Sequence, residues 1–369
     1  LWTSTANELI AKSRKQTAYD KVARFEGTML GEMRRDYLTE RWTIYAPGRA
    51  KRPSDFAAKS TKTKPKVCPF CRGNEYMTPP ATLLYVTEQN RVNKIVHEGL
   101  RRRSDWIVRC VPNMYAAVRS GRSYTRSSRR SLLVQRPATG FHEIIVESPI
   151  HDDHPHRASQ EQIALWLSAA VDRVRDLTKQ KEVLSIVLFR NHGAEAGASI
   201  AHAHSQLMTT PIVPPHIEEE HVALARSKSI TGECALCQVV DLESGSPRCI
   251  LSTSDFSVIA PWASLYPFEF WIIPKHHSAS IVQLRSIPIK ELSGILRLML
   301  GGLAKLLSDP PYNLVFHLGP TKAKDNAFHW HIRVHPRLST QGGFELGSGI
   351  YINTIKPEDA AQSFRRTIR

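Results

Sequence analysis

Apolar positions along this chain follow two kinds of spacing. Over 159–180, Ile163, Trp166, Leu167, Ala170, Val174 and Leu177 recur at helical intervals and predict an amphipathic helix. IPIKELSGILRLMLGGLAKLLSD (287–309) predicts a second one. Short apolar runs predict strands in RWTIYA (41–46), DWIVRCVPN (105–113), FHEIIVESPIH (141–151), SIVLFRNHG (185–193) and HAHSQLMTTP (202–211). Later runs do the same in DFSVIAPWASLYPFEFWIIPKHH (255–277), YNLVFHLGP (312–320) and FHWHIRVHP (328–336). Residues 1–30 read as polar and partly helical, and SDFAAKSTKTKPK (54–66) as a linker.

The order of elements occurs twice. The strand, helix, strand, strand series ending at 211 returns over 255–336, which points to an internal duplication. The fold class this predicts is α+β, in two fused halves, each a mainly antiparallel sheet packed by helices. We divide the chain into an N-terminal extension (1–33), a first half (34–215) and a second half (216–369).

Cysteine and histidine positions repeat with the elements. The first half carries Cys68-Pro-Phe-Cys71, His151 after a strand, and His202-Ala-His204. The second carries Cys234-Ala-Leu-Cys237, His277 after a strand, and His329-Trp-His331. A CxxC turn offers two thiolates, and two histidines distant in sequence complete a tetrahedron. The expectation is two structural zinc ions, one held by Cys68, Cys71, His151 and His202, the other by Cys234, Cys237, His277 and His329. Four of the six cysteines lie in these pairs, a metal-site pattern suited to a reducing compartment. The location expected is intracellular, cytoplasmic or mitochondrial. No apolar run approaches the roughly 18 residues that span a membrane.

Only the first half adds a phosphate-handling pattern. Alternation along a strand puts His204 and Gln206 on one face. A neutral imidazole at His204 attacks an α-phosphate and forms a labile phosphoramidate. The Gln206 amide donates to the phosphate oxygen that gains charge. The preceding loop, Asn191-His-Gly193-Ala-Glu-Ala-Gly197-Ala-Ser199, brings backbone N–H groups and small side chains close to phosphate.

NHGAEAGASIAHAHSQ resembles the active-site motif of the galactose-1-phosphate uridylyltransferase family, in the histidine-triad superfamily. RRDYLTERWTIYAPGRAKRP, CPFCRGNE, VPNMYAAV and GGFELGSGIYINTIKPEDAAQSFR resemble other segments of that family, so the likeness covers nearly the whole chain. It implies two histidine-triad-like halves and ping-pong nucleotidyl transfer through a covalent nucleotidyl-His204. By motif, Gln206 is the phosphate-stabilising partner, Asn191, Gly197 and Ser199 hold phosphates, and Arg49, Arg52 and Asn113 lie near the nucleotide or the incoming phosphate. Gly343 and Phe344 fall in the C-terminal substrate segment. Galactose-specific members carry Lys-Phe at the start of that segment; here it reads Gly342-Gly343-Phe344-Glu345, similar to the branch related to ADP-glucose phosphorylase. Glu220, His317, His329 and His331 resemble the galactose members' own second metal site, whereas the Cys234 set mirrors the first half.

The function implied is a nucleotidyltransferase acting on a nucleoside diphosphate sugar with phosphate or a sugar-1-phosphate, ADP-sugar phosphorylase-like or UDP-hexose-1-phosphate uridylyltransferase-like. Net charge brings in an alternative. The chain carries +16, with the excess concentrated in Arg101-Arg102-Arg103 and in the Arg-rich stretch 119–136. That stretch reads either as a solvated insertion or as an arm for an anionic partner, RNA or an acidic protein surface. It motivates the second reading, an enzyme fold recruited as a basic subunit of an organellar or ribonucleoprotein assembly. A homodimer is implied by the family resemblance alone.

Overall fold

The structure, a computed structural model, describes residues 32–39, 41–45, 67–89, 91–97, 99, 102–121 and 137–369. Arg49, Arg52, the 1–30 segment, the 54–66 linker and most of the Arg-rich stretch lie outside them. The strands are β1 (Glu32–Arg35), β2 (Trp42–Tyr45), β3 (Leu83–Glu88), β4 (Arg91–Val96), β5 (Trp106–Pro112), β6 (His142–Val146) and β7 (Ser185–His192). They continue as β8 (His204–Thr210), β9 (Cys249–Ser252), β10 (Phe256–Ile259), β11 (Phe270–Pro274), β12 (Tyr312–His317), β13 (His331–Pro336) and β14 (Tyr351–Asn353). The helices are α1 (Gln160–Thr178), α2 (Pro215–Thr231), α3 (Ala235–Glu243), α4 (Ser286–Leu307), α5 (Gly343–Ser348) and α6 (Pro357–Thr367).

The two half-sheets are one sheet. Its order is β4-β3-β5-β6-β8-β7-β12-β13-β11-β10-β9, and β7 pairs antiparallel with β12 at the junction. Counting outward from that junction, β7, β8, β6, β5 and β3 correspond to β12, β13, β11, β10 and β9. The duplication is therefore visible as a pseudo-twofold arrangement of strands. β1, β2 and β14 make a separate three-stranded sheet.

Helices α1 and α4 share one face of the large sheet. Trp166, Leu167 and Val174 of α1 join Leu292, Leu296, Met299 and Leu303 of α4 and the inward residues of β7, β8, β12 and β13 in one core. Ser159 caps α1 by accepting from the Gln162 N–H. Along β8, Ser205 and Leu207 face these helices: Ser205 Oγ accepts from Trp166 Nε1 at 2.8 Å, and Leu207 is in the core. Alternation sends His204 and Gln206 to the opposite face, which α2 and α3 cover only over the second half, against Ile259, Trp271 and Ile273.

Two strand ends differ from expectation. β6 stops at Val146, before Ser148-Pro149, because proline gives no N–H to a ladder. His151 is carried by the turn that follows, not by the strand end. His202 likewise precedes β8 rather than lying in it.

On the side of β7 that carries Ile186 and Leu188 lies a buried ion pair. Arg190 Nε donates to both Glu147 oxygens at 3.1 and 3.2 Å. Its other nitrogens donate to the Tyr312 hydroxyl and to His154 Nδ1, each at 2.9 Å. Burial raises the Glu147 carboxyl above its ordinary value, against the opposing pull of Arg190. Arg190→Met is expected to cost about 3–5 kcal/mol, because it strands a buried carboxylate. Urea unfolding of the variant reads this directly.

Candidate active site and metal centres

The first CxxC is a knuckle. The Cys71 N–H donates to the Cys68 carbonyl at 3.3 Å, and Asn74 Nδ2 donates to the same oxygen at 2.9 Å. Cys71 Sγ lies 3.3 Å from His151 Nδ1 and 3.5 Å from His202 Nδ1; Cys68 Sγ lies 3.7 Å from His202 Nδ1. His202 Nε2 faces the Ser148 carbonyl at 2.8 Å, so its proton sits there and the Nδ1 lone pair faces the sulfurs.

The second cluster repeats this with one change. Cys234 caps α3 and Cys237 lies in its first turns, so a helix start replaces the knuckle. Cys237 Sγ is 3.6 Å from His277 Nδ1 and 3.5 Å from His329 Nδ1, and Cys234 Sγ is 3.7 Å from His329 Nδ1. His329 Nε2 meets the Pro274 carbonyl and His277 Nε2 the Asn326 carbonyl, both at 2.9 Å. Each foursome gathers its ligand atoms within 4.8 Å of one another. Burial, then the neighbouring Cys68, pushes the Cys71 thiol up to about 11; burial, then Cys234, pushes Cys237 up to about 12. A cation held by all four groups offsets that cost.

Glu220, His317 and His331 form a third compact group. Arg333 already fills it. Its NH2 lies 2.6 Å from Glu220 Oε1, and its Nε donates to His331 Nε2 at 2.9 Å. His317 Nδ1 meets the other Glu220 oxygen at 2.9 Å. Burial alone would raise the Glu220 carboxyl, but Arg333 and His317 hold it well below the usual carboxylate range. A guanidinium in this position opposes a second cation, so the group reads as a closed ion-pair network.

The two HxH strands differ at the second histidine. His204 Nδ1 faces the His202 carbonyl at 2.8 Å. His331 Nδ1 faces the His329 carbonyl at 3.0 Å in the same way. Arg333 then occupies the free nitrogen of His331, whereas His204 Nε2 has no hydrogen-bond partner among the described residues. Burial pushes the His204 imidazole down to about 4, so it is neutral at pH 7 with a lone pair to offer. Phe70 of the knuckle packs against its ring, with centroids 5.2 Å apart.

Gln206, Asn113 and Asn191 are tied into polar groupings at the strands β5, β6, β7, β8 and β12. Gln206 Oε1 lies 2.9 Å from His142 Nε2, and Asn113 Nδ2 lies 3.1 Å from the same nitrogen. Asn191 is the last residue but one of β7, and its side-chain oxygen accepts from Asn313 Nδ2 at 2.9 Å. Asn313 also donates to the Ala196 carbonyl at 2.8 Å, which pins the loop after β7. Gly193 and Gly197 sit at φ +82° and +87°, where side chains are disfavoured, and a Cβ on Gly193 would lie 2.7 Å from Pro311 Cβ. Ser199 is exposed at the end of this loop.

Gly343 and Phe344 are exposed on α5, which packs on β14 of the small sheet. Among the described residues, the hydrogen bonds of this segment run within it and from Gln341 to the Tyr266 hydroxyl, not to Gln206, His142 or Asn113. His142 and Asn313 were not anticipated. Each is a polar residue at the start of a strand that continues into an apolar run, and that is the signal that marks them.

Comparison with known proteins agrees with this arrangement. Residues 22–214 match the family described as galactose-1-phosphate uridyl transferase, N-terminal domain, and residues 155–368 match a domain family of unknown function, DUF4921. The ADP-glucose phosphorylase of Arabidopsis thaliana is 37% identical over 343 residues, 90% of this chain and 92% of that protein. The galactose-1-phosphate uridylyltransferase of Thermotoga maritima is 26% identical over 345 residues, 91% of this chain and 98% of that protein. A crystal structure of an ADP-glucose phosphorylase from Arabidopsis thaliana with bound ADP-glucose superposes with a TM-score of 0.74 at 34% identity, over 91% of this chain and 99% of that one. The chain belongs to the galactose-1-phosphate uridylyltransferase family, and within it is more similar to the Arabidopsis ADP-glucose phosphorylase than to the Thermotoga uridylyltransferase.

Proposed function

We propose that this protein is a nucleotidyltransferase that cleaves a nucleoside diphosphate sugar in two steps, with ADP-glucose as donor and inorganic phosphate as acceptor. The observation that carries the mechanism is the buried, neutral His204, its Nδ1 proton held by a backbone carbonyl and its Nε2 unengaged. Nε2 attacks the α-phosphorus; the bond to the sugar-phosphate oxygen breaks and glucose-1-phosphate leaves. A phosphate oxygen then attacks the nucleotidyl-histidine, the P–N bond breaks, and ADP leaves with the imidazole restored. Gln206, Asn191, Gly197 and Ser199 are the groups we assign to the phosphates, and Asn113 to the nucleotide side. Arg49, Arg52, Gly343 and Phe344 keep the substrate-binding roles that the family resemblance implies. Adenine over uracil, and phosphorolysis over transfer to a hexose phosphate, are favoured by the higher identity to the phosphorylase, 37% against 26%.

Zinc is the ion we assign to both Cys/His clusters. Zn–S and Zn–N bonds in a tetrahedron set an S···N edge of about 3.6 Å. The S···N separations here run from 3.3 to 3.7 Å. With four protein ligands each, these ions would tie the CxxC segments to the sheet and take no part in bond making. Nothing favours the reading as a basic scaffold; the arginines that motivated it lie mainly outside the described residues.

The test is a phosphorolysis assay with ADP-glucose and UDP-glucose in parallel. Phosphate-dependent release of ADP and glucose-1-phosphate from ADP-glucose supports the assignment. Faster turnover of UDP-glucose with galactose-1-phosphate would reassign the protein as a hexose transferase, and release of AMP to water alone as a hydrolase.

A further inference from the structure

His142 lies outside the nucleophile and the phosphate loop, yet three groups of the site converge on its ring. It opens β6, and β6 pairs with β8 so that His142 and Gln206 project from neighbouring strands. Its Nδ1 accepts the backbone N–H of Ala117 at 3.2 Å. Its Nε2 lies 2.9 Å from Gln206 Oε1. A backbone N–H cannot be turned round. The Ala117 contact therefore fixes Nδ1 as the bare nitrogen, and a neutral ring carries its proton on Nε2. That proton points at Gln206 Oε1.

The consequence falls on the glutamine. An amide has an oxygen end and a donor end, and either could face the substrate. If its oxygen faced a phosphate, two partial negative charges would meet. Accepting from His142 turns the oxygen inward and leaves the NH2 group for the ligand. Asn113 is set separately: its oxygen accepts the Tyr115 N–H at 2.9 Å, and its Nδ2 lies 3.1 Å from Nε2, a contact between two donors that this tautomer does not satisfy.

We propose that His142 is the positioning residue that sets the amide of Gln206, with Ala117 setting His142, so that Gln206 presents its N–H donors to the anionic substrate. The inference rests on the function proposed above and adds a residue to it. His142 touches no reacting atom; it acts through Gln206.

Three variants and a double-mutant cycle test this. His142→Phe keeps an aromatic ring and removes both nitrogens. It is expected to slow nucleotidyl transfer roughly ten- to a hundred-fold through kcat, the usual size of an orienting partner's effect. KM for the nucleotide sugar should move far less. His142→Gln returns an N–H donor near the Nε2 position and should recover part of the loss. In a Gln206→Ala background, His142→Phe should do nothing further, because the group it orients is gone. Losses that multiply in the double variant would overturn the proposal. So would full activity in His142→Phe, or a His142→Gln that folds as wild type but is no better than the phenylalanine variant.

A second readout does not depend on turnover. Imidazole 15N spectra of the wild type, with His142 assigned by its loss in His142→Phe, should show Nε2 protonated and Nδ1 bare. A proton on Nδ1 would sink the proposal even in an active enzyme. The expected tautomer in a protein that turns over no nucleotide sugar would instead contradict the proposed function and leave the orientation of Gln206 standing.

Discussion

Replacing His204 by alanine lowers phosphate-dependent cleavage of the nucleotide sugar by about four orders of magnitude or more, the size seen when a nucleophile is removed from an otherwise intact site. Neither of the two comparable imidazoles can take over. His202 is turned toward the Cys68 and Cys71 sulfurs by its own Nδ1. His331, the equivalent residue of the second half, has its free nitrogen engaged by Arg333. Nucleotide binding should survive, since Asn191, Asn113 and Gln206 remain. Steady-state rates beside calorimetric binding of ADP-glucose check this. Residual turnover within about ten-fold of wild type would mean that the reaction has no covalent step at His204.

Loss of metal is the second large effect, and it should differ between the halves. Metal analysis of the purified protein is expected to return two zinc ions per chain, and one after Cys68→Ala or Cys234→Ala. In zinc-finger peptides a structural zinc contributes apparent binding of roughly 10–16 kcal/mol, which comes through as folding free energy. Either variant should therefore unfold at a markedly lower temperature. Activity should separate them. The first cluster lies two residues from the nucleophile, and His202 supplies both a ligand nitrogen and the carbonyl that holds the His204 ring. Cys68→Ala should thus cost kcat even in the folded fraction. The second cluster ties α3 and His277 to His329, on the far side of the sheet junction. Cys234→Ala should cost stability first. Equal losses of kcat in both would contradict this division.

What was legible in the chain was whatever rests on local spacing. Helices α1 and α4 stand out because their buried residues recur on one stripe. The strands that begin at His204 and His331 follow short apolar runs, and the CxxC pairs announce two clusters without any structure. α2 was missed because only Ile217, Glu220 and Leu224 of its residues are buried, too few to make a stripe. β4 was missed for a related reason: it edges the sheet, exposes Val92 and Val96, and shows no alternation.

The joining of the halves through β7 and β12 is a different kind of omission. Both strands read as buried, and burial does not name a pairing partner. His142, Asn313 and Arg333 escaped for the same reason, since their roles depend on strand register. Asn313 lies opposite Asn191, and Ile144, two residues on from His142, lies opposite Gln206. Arg333 follows His331 as Gln206 follows His204. That single difference accounts for why one copy has a free imidazole nitrogen and the other does not.

The most direct test of the central claim is the intact mass of the protein after brief exposure to ADP-glucose without phosphate. A gain of one AMP unit is expected, mapped to His204 by peptide sequencing and absent from His204→Ala. Adding phosphate should discharge it as ADP. A fully metal-loaded protein that turns over the nucleotide sugar without ever gaining that mass would contradict the covalent mechanism.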